Sequence, residues 1–429
     1  MRFDTYNEYK AVQKLFEVPS HWEICRLKDL GFLQNGISKS KEYFGSGHPF
    51  VSYGNVYNDS ININQIVNLA NSSTQDQKLY SVKSGDVFFT RTSETIDEIG
   101  IASTCLSTVP KATFSGFTIR FRPRKKILKE YSKFYFKAHF YRTLISRQIS
   151  LVTRASLGQG ILYNLNIALP PKLEQTQIAN YLDKKTTAID NKIYLLEQKA
   201  KKYKELKKSI INETVCRGLN KDVKLKNSGI EWLGDIPEHW EVIRVKGFCK
   251  TIKGKNLSNS DIPFKNSLNL LSLDYLRNDK TTFSSYCISE NKSLIATEND
   301  LIIVWDGAAA GEIIKSKKGY ISSTIAKLVF NKRILLPKYF YFLKENIEYM
   351  LQKIPTGMGI PHLNPLLLNN FHCPVPPIVE QKEILKILDY KTTIIDKITK
   401  NITTQITTLK ELKKTLINDV VTGKIKVSQ

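Results

Sequence analysis

Two short segments of the sequence, PSHWE at 19–23 and PEHWE at 237–241, place a histidine close to a glutamate. A histidine beside a carboxylate suits general acid–base catalysis, because the imidazole transfers a proton and the carboxylate orients it. The six histidines of the chain, however, do not cluster with acids or cysteines at the spacing of metal ligands. We therefore expect packing residues at the start of two domains, with DNA contact as the alternative: His21, Trp22, His239 and Trp240.

The sequence lacks the loops that catalysis on nucleotides requires. N6-adenine methyltransferases hold the flipped base with an Asn/Asp-Pro-Pro-Tyr/Phe loop, but the Pro-Pro pairs here, LPPK and VPPI, stand at predicted helix starts. The segments GQG and GMG lack the third glycine of a dinucleotide loop, and KGKN lacks the first glycine and the Ser/Thr of a phosphate loop. These absences predict a non-catalytic chain without a cofactor or metal of its own, rather than a self-sufficient methyltransferase or nuclease.

Length and charge limit the class of protein further. The 429 residues suit two or three domains, and 64 Lys and Arg against 40 Asp and Glu give a formal net charge of +24. This surplus favours nucleic acid as a partner, although a lysine-rich organism would produce it too. With no long apolar run and no signal-peptide pattern, we expect a cytoplasmic protein without membrane contact. The six cysteines form no C-x-x-C pair, which predicts reduced, mostly buried thiols.

An internal repeat is the most informative feature of the sequence. VPSHWEICRLKDL aligns with IPEHWEVIRVKGF at an offset of 218 residues, and the same offset places Gly36 on Gly254. LPPKLEQTQIANYLDKKTTAID, which begins at Leu169, aligns with VPPIVEQKEILKILDYKTTIID, which begins at Val375, at an offset of 206. The chain is therefore a duplicated unit.

Each unit consists of a globular part and a long helix. In the globular parts, SGDVFFTR and ENDLIIVWDG predict short buried strands, FTIRFRPR predicts a strand of period two, and 133–145 and 338–351 predict helices. This mixture predicts an α+β fold class with two globular α/β domains in a pseudo-twofold repeat. The predicted boundaries are an N-terminal arm at 1–18, a first domain at 19–170, a central helix at 171–217, a linker at 218–236, a second domain at 237–376, a C-terminal helix at 377–423 and a tail at 424–429.

The two long helices carry matching apolar stripes. Pro171 and Pro377 fall in the first turn, and Glu174 and Glu380 follow at the positive end of each helix dipole. Apolar or aromatic residues recur every seven positions in both helices: Leu182, Ile189, Leu196, Tyr203 and Ile210, then Leu388, Ile395, Ile402, Leu409 and Leu416. Such a stripe requires a helical partner. We expect the two helices to pair within one chain as an antiparallel coiled coil, with a self-associating dimer as the alternative.

Candidate DNA contacts follow from the basic charge and from the predicted loops. The densest basic cluster, which contains Arg120, Arg122, Arg124, Lys125 and Lys126, is expected either to follow a phosphate strand or to be a solvated strand face. Base recognition is expected from polar side chains on loops beside strand ends, each of which is alternatively an ordinary loop residue. These candidates are Arg91, Thr92, Ser93, Arg154, Gln159, Lys255, Asn256 and Thr356.

The duplicated motifs carry a family resemblance. SGIEWLGDIPEHWEV at 228–242, LPPKLEQTQIANYLD at 169–183 and its second copy at 375–389 resemble the hallmarks of type I restriction–modification specificity subunits. The first copy lacks the SGIEWLGDIP lead-in, which leaves 1–18 as a looser arm. The resemblance covers nearly the whole chain, because both globular parts and both helices occur in the order that this family uses.

The resemblance implies a function that the residues alone do not give. Each globular part would be a target recognition domain for one half of a split sequence in double-stranded DNA, and the helices would set the spacing and bind partner subunits. One such chain joins two methyltransferase subunits and two restriction subunits in bacteria and archaea. Those partners would use S-adenosylmethionine for N6-adenine methylation and ATP with Mg²⁺ for translocation and cleavage. A stand-alone coiled-coil DNA-binding regulator is the alternative, which an adjacent methyltransferase gene would disfavour.

Overall fold

The computed structural model describes residues 5–12, 16–124, 126–148, 155–278, 284–353 and 361–427. The chain divides into two compact units: unit 1 contains residues 1–197 and 403–429, and unit 2 contains residues 198–402. Each unit therefore holds one globular domain together with a part of each of the two long helices. Within the described ranges, no helix is both long and apolar enough to cross a membrane.

Unit 1 is built from short strands and short helices that precede the first long helix. Its strands are β1 (Tyr9–Val12), β2 (Phe16–Pro19), β3 (Glu23–Arg26), β4 (Gly31–Asn35), β5 (Phe44–Val51), β6 (Leu69–Ala70), β7 (Val87–Thr90), β8 (Thr92–Ser93), β9 (Ala102–Thr104), β10 (Thr113–Phe114), β11 (Thr118–Pro123), β12 (Ala155–Ser156) and β13 (Asn166–Leu169). Its helices are α1 (Leu27–Leu30), α2 (Thr74–Leu79), α3 (Lys129–Tyr135), α4 (His139–Ser146), α5 (Gln159–Tyr163), the first part of α6 (Lys172–Arg217) and the last part of α11 (Ile378–Val421).

Unit 2 repeats this plan. Its strands are β14 (Leu225–Asn227), β15 (Asp235–Pro237), β16 (Glu241–Arg244), β17 (Cys249–Lys253), β18 (Asn259–Ser260), β19 (Leu268–Leu271), β20 (Tyr286–Cys287), β21 (Ile295–Ala296), β22 (Leu301–Val304), β23 (Ile313–Lys315), β24 (Gly319–Ile321), β25 (Ile325–Phe330) and β26 (His372–Val375). Its helices are the last part of α6, α7 (Leu273–Arg277), α8 (Pro337–Phe342), α9 (Lys344–Lys353), α10 (Pro365–Asn370) and the first part of α11.

An antiparallel four-stranded sheet forms the centre of each domain. The strand order is β4-β11-β7-β9 in unit 1 and β17-β25-β22-β23 in unit 2. Every residue of β7 and of β22 is buried, as the apolar runs VFFT and LIIV predict. A second sheet in each domain contains one parallel pair, β5 with β10 and β19 with β24. The mixed strand and helix content and the two-domain repeat agree with the predicted α+β class.

Two local predictions need correction. The segment FTIRFRPR does form a strand, but Thr118, Ile119, Arg120 and Phe121 are all buried, so the period-two exposure is wrong. The reason is that the sheet is covered on both faces: Ile119 and Phe121 belong to one apolar cluster, whereas Arg120 packs over the ring of Phe114 in another. Each predicted domain helix is instead two helices, α3 with α4 and α8 with α9.

The aligned glycines Gly36 and Gly254 occupy the same structural position. A Cβ atom at Gly36 would lie 2.2 Å from the carbonyl oxygen of Ser115, and one at Gly254 would lie 2.1 Å from that of Ser322. Because these neighbours are backbone atoms that cannot rotate away, no larger residue fits without moving a strand. The close approach explains why both copies of the unit keep a glycine there.

The segment before the first domain folds onto unit 1. Strand β1 pairs with β2, so that Tyr9 lies opposite Pro19, just as Leu225 of β14 lies opposite Pro237 of β15. The hydroxyl of Tyr9 donates to the carbonyl oxygen of Gly423 at 2.9 Å. In the described part of the expected arm, β1 and most of β2 therefore form a hairpin, and a similar hairpin of β14 and β15 precedes the second domain.

The residues of the two heptad stripes are buried or half-buried along both long helices. Leu182, Leu388, Ile395 and Ile402 are buried, and the other stripe residues are half-buried: Ile189, Leu196, Tyr203, Ile210, Leu409 and Leu416. Both helices end at a glycine in the left-handed region, Gly218 with φ of 75° and Gly423 with φ of 72°. Glycine adopts this conformation without strain, which stops each helix before the chain turns.

Ion pairs join the two long helices inside each unit. In unit 1, Lys413 Nζ lies 2.7 Å from Asp190 Oδ2. In unit 2, Lys207 Nζ lies 2.7 Å from Asp396 Oδ1. The two pairs are equivalent in the repeat, because an offset of 206 carries Lys207 onto Lys413 and Asp190 onto Asp396.

Candidate nucleic-acid interface

The first HWE segment anchors the beginning of α6. The indole Nε1 of the fully buried Trp22 donates to Glu174 Oε1 at 3.1 Å, and the Nε2 atom of His21 lies 2.9 Å from Glu174 Oε2. The hydroxyl of Tyr6 also donates to this carboxylate. Three neighbouring groups thus hold one glutamate at the helix N-terminus, where its charge is favourable.

The second HWE segment makes the same contacts at the beginning of α11. Trp240 Nε1 donates to Glu380 Oε2 at 3.0 Å, and His239 Nε2 lies 2.9 Å from the same oxygen. Trp240 is fully buried, as a packing residue should be, whereas the side chain of His239 is 47% exposed. The histidines of the two HWE segments therefore do not act with the glutamates beside them in sequence. They contact Glu174 and Glu380 and anchor the two long helices.

A glutamine follows each anchoring glutamate and makes hydrogen bonds between the long helix and the domain. Gln175 is fully buried; its amide donates to the carbonyl oxygens of Lys126 and Pro170, and its oxygen accepts from the Leu128 amide at 2.8 Å. The buried Gln381 repeats this pattern in unit 2. Such fully satisfied buried amides fix the direction in which each helix leaves its domain.

The basic cluster is only partly a candidate surface. Arg120 is 1% exposed, and its guanidinium donates to the Ser81 carbonyl oxygen and to Gln34; burial lowers the pKa of Arg120 to about 10. Arg122 makes a bidentate pair with the buried Asp86, with both N–O distances at 2.6 Å.

Arg120 is buried and therefore cannot reach DNA in this structure, whereas Arg122 is 17% exposed and paired with Asp86, and its contact with DNA stays a prediction. Arg124 is exposed at the end of the same strand. Lys126 is exposed as well and lies 2.7 Å from Glu23. Lys125 lies outside the described residues. Among the described residues of the cluster, the exposed ones are thus Arg124 and Lys126, where phosphate could reach them.

In unit 1, the candidates after β7 lie in a loop cluster at the end of the central sheet. Arg91 is half-buried, and its Nη1 lies 3.4 Å from the carbonyl oxygen of Gly116. Thr92 and Ser93 form β8, which pairs with β12, and the Ser93 hydroxyl donates to Glu98. Gln159 donates to Asn35 at 3.0 Å, which brings the end of β4 to the same cluster.

In unit 2, Lys255 and Asn256 are exposed directly after β17. Lys255 forms an isolated bridge with Ser322, and Asn256 accepts from the Ser323 hydroxyl. The structure thus places both candidates at the end of the sheet, as the loop prediction requires. Arg154 and Thr356 lie outside the described residues.

Sequence reasoning missed a second cluster in this part of unit 2. Asp306 lies 2.6 Å from His362 Nδ1 and 3.2 Å from Lys253 Nζ, and that ammonium stands 5.4 Å from the centre of the Trp305 ring. The side chains of Lys253 and His362 are 44% and 49% exposed. An alignment of the two buried strands indicates this cluster in the sequence. WDG follows LIIV in the second copy at the place where RTS follows VFFT in the first.

The described residues contain no group of three or more His, Cys, Asp and Glu that could hold a metal ion. All six cysteines are unpaired, and Cys25 alone among them is half-buried rather than buried. The sheet ends present polar and charged side chains such as Arg91, Thr92, Lys255 and Asn256, which are the groups that contact with base edges and phosphates requires.

The comparisons with known proteins agree with this arrangement. Residues 19–202 and 237–408 each match the family described as type I restriction modification DNA specificity domain. The two matches cover both globular domains and much of both long helices. The chain therefore belongs to this family and is a specificity subunit of the type I restriction–modification class, as the duplicated motifs indicate.

Relatives of known name support the same assignment. The type I restriction enzyme MjaVIII specificity subunit of Methanocaldococcus jannaschii is 37% identical over 188 residues, which are 44% of this chain and 43% of that relative. The putative MjaX specificity subunit of the same organism is 26% identical over 96% of this chain and 95% of its own length. The StySPI specificity subunit of Salmonella potsdam is 20% identical over 95% and 90%.

Two solved structures share the fold. A chain from a study of complex assembly and conformational transition of the type I R-M system aligns with a TM-score of 0.73 at 16% identity, covering 95% of this chain and 99% of that one. The crystal structure of the HsdS subunit from Thermoanaerobacter tengcongensis aligns with a TM-score of 0.55 at 17% identity, covering 95% and 98%.

Proposed function

We propose that this chain gives a type I restriction–modification complex its DNA specificity, with each globular domain recognising one half of a bipartite sequence. The observation that carries the proposal is a pair of clusters at the ends of the central sheets, which we call the strand-end clusters. They contain Arg91, Thr92 and Ser93 in unit 1 and Lys253, Asp306 and His362 in unit 2. Two unlike domains in one chain suit an asymmetric site. The domains are residues 19–170 and 237–376, with 218–236 as the linker between the repeats.

The two long helices are proposed to form an antiparallel coiled coil that sets the distance between the half-sites. The pairs Lys413–Asp190 and Lys207–Asp396 support this, because a higher number on one helix goes with a lower number on the other. The burial of stripe residues such as Ile395 and Ile402 supports an apolar contact between the helices. The 46 residues of α6 extend about 70 Å at about 1.5 Å per residue, which gives the scale of the spacer.

The chemistry of the complex is assigned to partner subunits. The chain itself is non-catalytic; two methyltransferase subunits bind it and transfer a methyl group from S-adenosylmethionine to adenine N6. Two restriction subunits join them and use ATP and Mg²⁺ to translocate and cleave DNA. One copy of this chain per complex suffices, since it already contains both recognition domains and both helices.

The surplus of positive charge supports DNA as the direct partner. Residues 1–170 carry 22 basic and 13 acidic side chains, and residues 230–376 carry 18 and 14, so both domains are basic. Charge that is distributed in this way can follow the backbone of an extended duplex. A stand-alone regulator lacks comparable support, since the named relatives are all specificity subunits of restriction enzymes.

Sequencing the methylome of a host that expresses this chain together with its methyltransferase partner tests the proposal. We expect one modified adenine motif that is split into two short half-sites by a fixed spacer. Omitting this chain is the control and should abolish the motif. Methylation that persists without this chain, or a motif that is not split, would contradict the proposal.

A further inference from the structure

The strand-end clusters of the two units can be compared residue by residue, because the same backbone hydrogen bonds define them. The Arg91 amide donates to the Phe117 carbonyl oxygen at 2.9 Å, and the Arg91 carbonyl oxygen accepts from the Leu157 amide at 2.7 Å. In unit 2 the corresponding bonds run from Trp305 to Thr324 at 2.8 Å and from Leu363 to Trp305 at 2.8 Å.

One further pair completes the correspondence. Thr92 pairs with Ser156 across β8 and β12, and Asp306 pairs with His362 in an isolated bridge. Four positions are therefore matched by backbone geometry, and we name them the strand-end quartet. Its members are Arg91, Thr92, Phe117 and Ser156 in unit 1, and Trp305, Asp306, Thr324 and His362 in unit 2.

The residue types at the quartet positions differ between the two units more than the residue types around them. One buried neighbour is unchanged, Leu157 and Leu363, and so are the tight glycines of the neighbouring loop. Other neighbours stay buried although their type changes, from Thr90 to Val304 and from Thr118 to Ile325. All four quartet positions, in contrast, change chemical type between the units, and all eight side chains are at least partly exposed. A common frame with different exposed groups is the pattern expected where two domains must recognise different half-sites.

We propose that the strand-end quartet selects the bases of each half-site, an inference that rests on the proposed function. In unit 2 the Asp306 carboxylate accepts a hydrogen bond from the N4 amino group of a cytosine, the base that acidic side chains recognise. In unit 1 the guanidinium of Arg91 donates to a guanine, and the ring of Phe117, which is 62% exposed, contacts a thymine methyl group.

The environment of Asp306 allows a base contact. A carboxylate near phosphates is repelled, so DNA binding would disfavour it unless it made a specific contact. Here Lys253 at 3.2 Å and His362 at 2.6 Å offset its charge and fix its orientation. Its side chain remains 20% exposed, which leaves an edge for a partner.

The test is a methylome comparison of the full chain, co-expressed with its methyltransferase partner, in four forms. These are the wild type, Asp306→Asn, His362→Ala and the control Glu298→Gln, which makes the same charge change at an exposed residue outside the quartet. Asp306→Asn should reduce methylation of cytosine-containing sites at one position of one half-site by about tenfold or more and favour adenine there. His362→Ala should relax the same position, and Glu298→Gln should leave the motif unchanged.

The possible failures are distinguishable. If Asp306→Asn and His362→Ala keep the wild-type motif at every position, the quartet inference is wrong while the proposed function stands. If the wild type yields no split motif, the proposed function fails and takes this inference with it. Thermal melting of each purified variant separates loss of fold from loss of recognition, and Phe117→Ala, which should alter only the other half-site, is the matched test in unit 1.

Discussion

The indole nitrogen of Trp22 lies 3.1 Å from the Glu174 carboxylate, and this bond joins the first residues of a domain to the first turn of a long helix 152 positions later. The tryptophan is fully buried, so the contact combines apolar packing with a hydrogen bond to a charged group. The repeat makes the same bond in unit 2. The geometry of each domain on its helix is therefore set at this junction.

Replacing Trp22 by phenylalanine should test the strength of this junction. The variant removes the N–H donor and leaves a small cavity, so we expect the free energy of unfolding to fall by about 2–3 kcal/mol. Urea unfolding followed by circular dichroism measures the change. Trp232→Phe is the control, because that ring is half-buried and stacks on Phe371; an equal loss in both variants would argue against a special role for the bond.

The ion pair between Lys413 and Asp190 should contribute to pairing of the helices. Lys413 is 21% exposed, so Lys413→Ala should cost about 1 kcal/mol, and the cost should decrease at high salt. A double-mutant cycle of Lys413→Ala and Asp190→Ala isolates this pair from Asp59, whose Oδ2 atom also lies 3.8 Å from Lys413 Nζ. If urea titrations of the two single variants and the double variant give no coupling energy, the pair does not stabilise the helices.

Alanine substitution should affect stability at Arg120 and DNA binding at Arg124. Arg120→Ala leaves buried acceptors without donors, so we expect a loss of about 2–4 kcal/mol in stability. Arg124→Ala should change stability by less than about 0.5 kcal/mol but weaken binding to DNA of any sequence and reduce the salt dependence of binding. Melting curves and fluorescence anisotropy at several salt concentrations check both results; a stable Arg120→Ala with weakened DNA binding would reverse this assignment.

Glu348 should make the stability of unit 2 depend on pH. Burial raises the pKa of Glu348, although the Ile313 amide donates to it at 2.7 Å. A raised pKa means that the folded state favours the protonated, neutral carboxyl. The free energy of unfolding therefore falls as the pH rises through that pKa and the group becomes charged. Glu348→Gln keeps an acceptor without the charge and should melt higher than the wild type at pH 7, with the difference vanishing below about pH 4. Glu383→Gln, at an exposed position, should show no such dependence.

Much of the architecture follows from local patterns in the sequence. The alignment of the two HWE segments and of Gly36 with Gly254 identifies equivalent structural positions, because packing against backbone or tryptophan tolerates few residues. The runs VFFT and LIIV predict buried strands, because apolar residues on both faces require a covered sheet. These features can be predicted because they are determined by residues close in sequence or are visible in the alignment of the two copies.

The candidate site was less predictable, because its contacts join distant parts of the chain. Arg120 looked like a surface residue in a strand of period two, and nothing local indicates that Phe114 and Ser81 cover its face of the sheet. Asp306 and His362 lie 56 positions apart and meet through an isolated bridge. Prediction from one sequence does not bring such residues together.

The hydrogen bond from Tyr9 to Gly423, which spans 414 positions, has a consequence for synthesis of the protein on the ribosome. Val420 and Val421 are fully buried in the core of unit 1, so that core stays incomplete until the end of α11 has been translated. Unit 2, in contrast, is one continuous segment, 198–402. Contacts that are distant in sequence form slowly. The second half of the repeat should therefore become protease-resistant on stalled ribosomes before the first, so that the order of folding is the reverse of the order of translation.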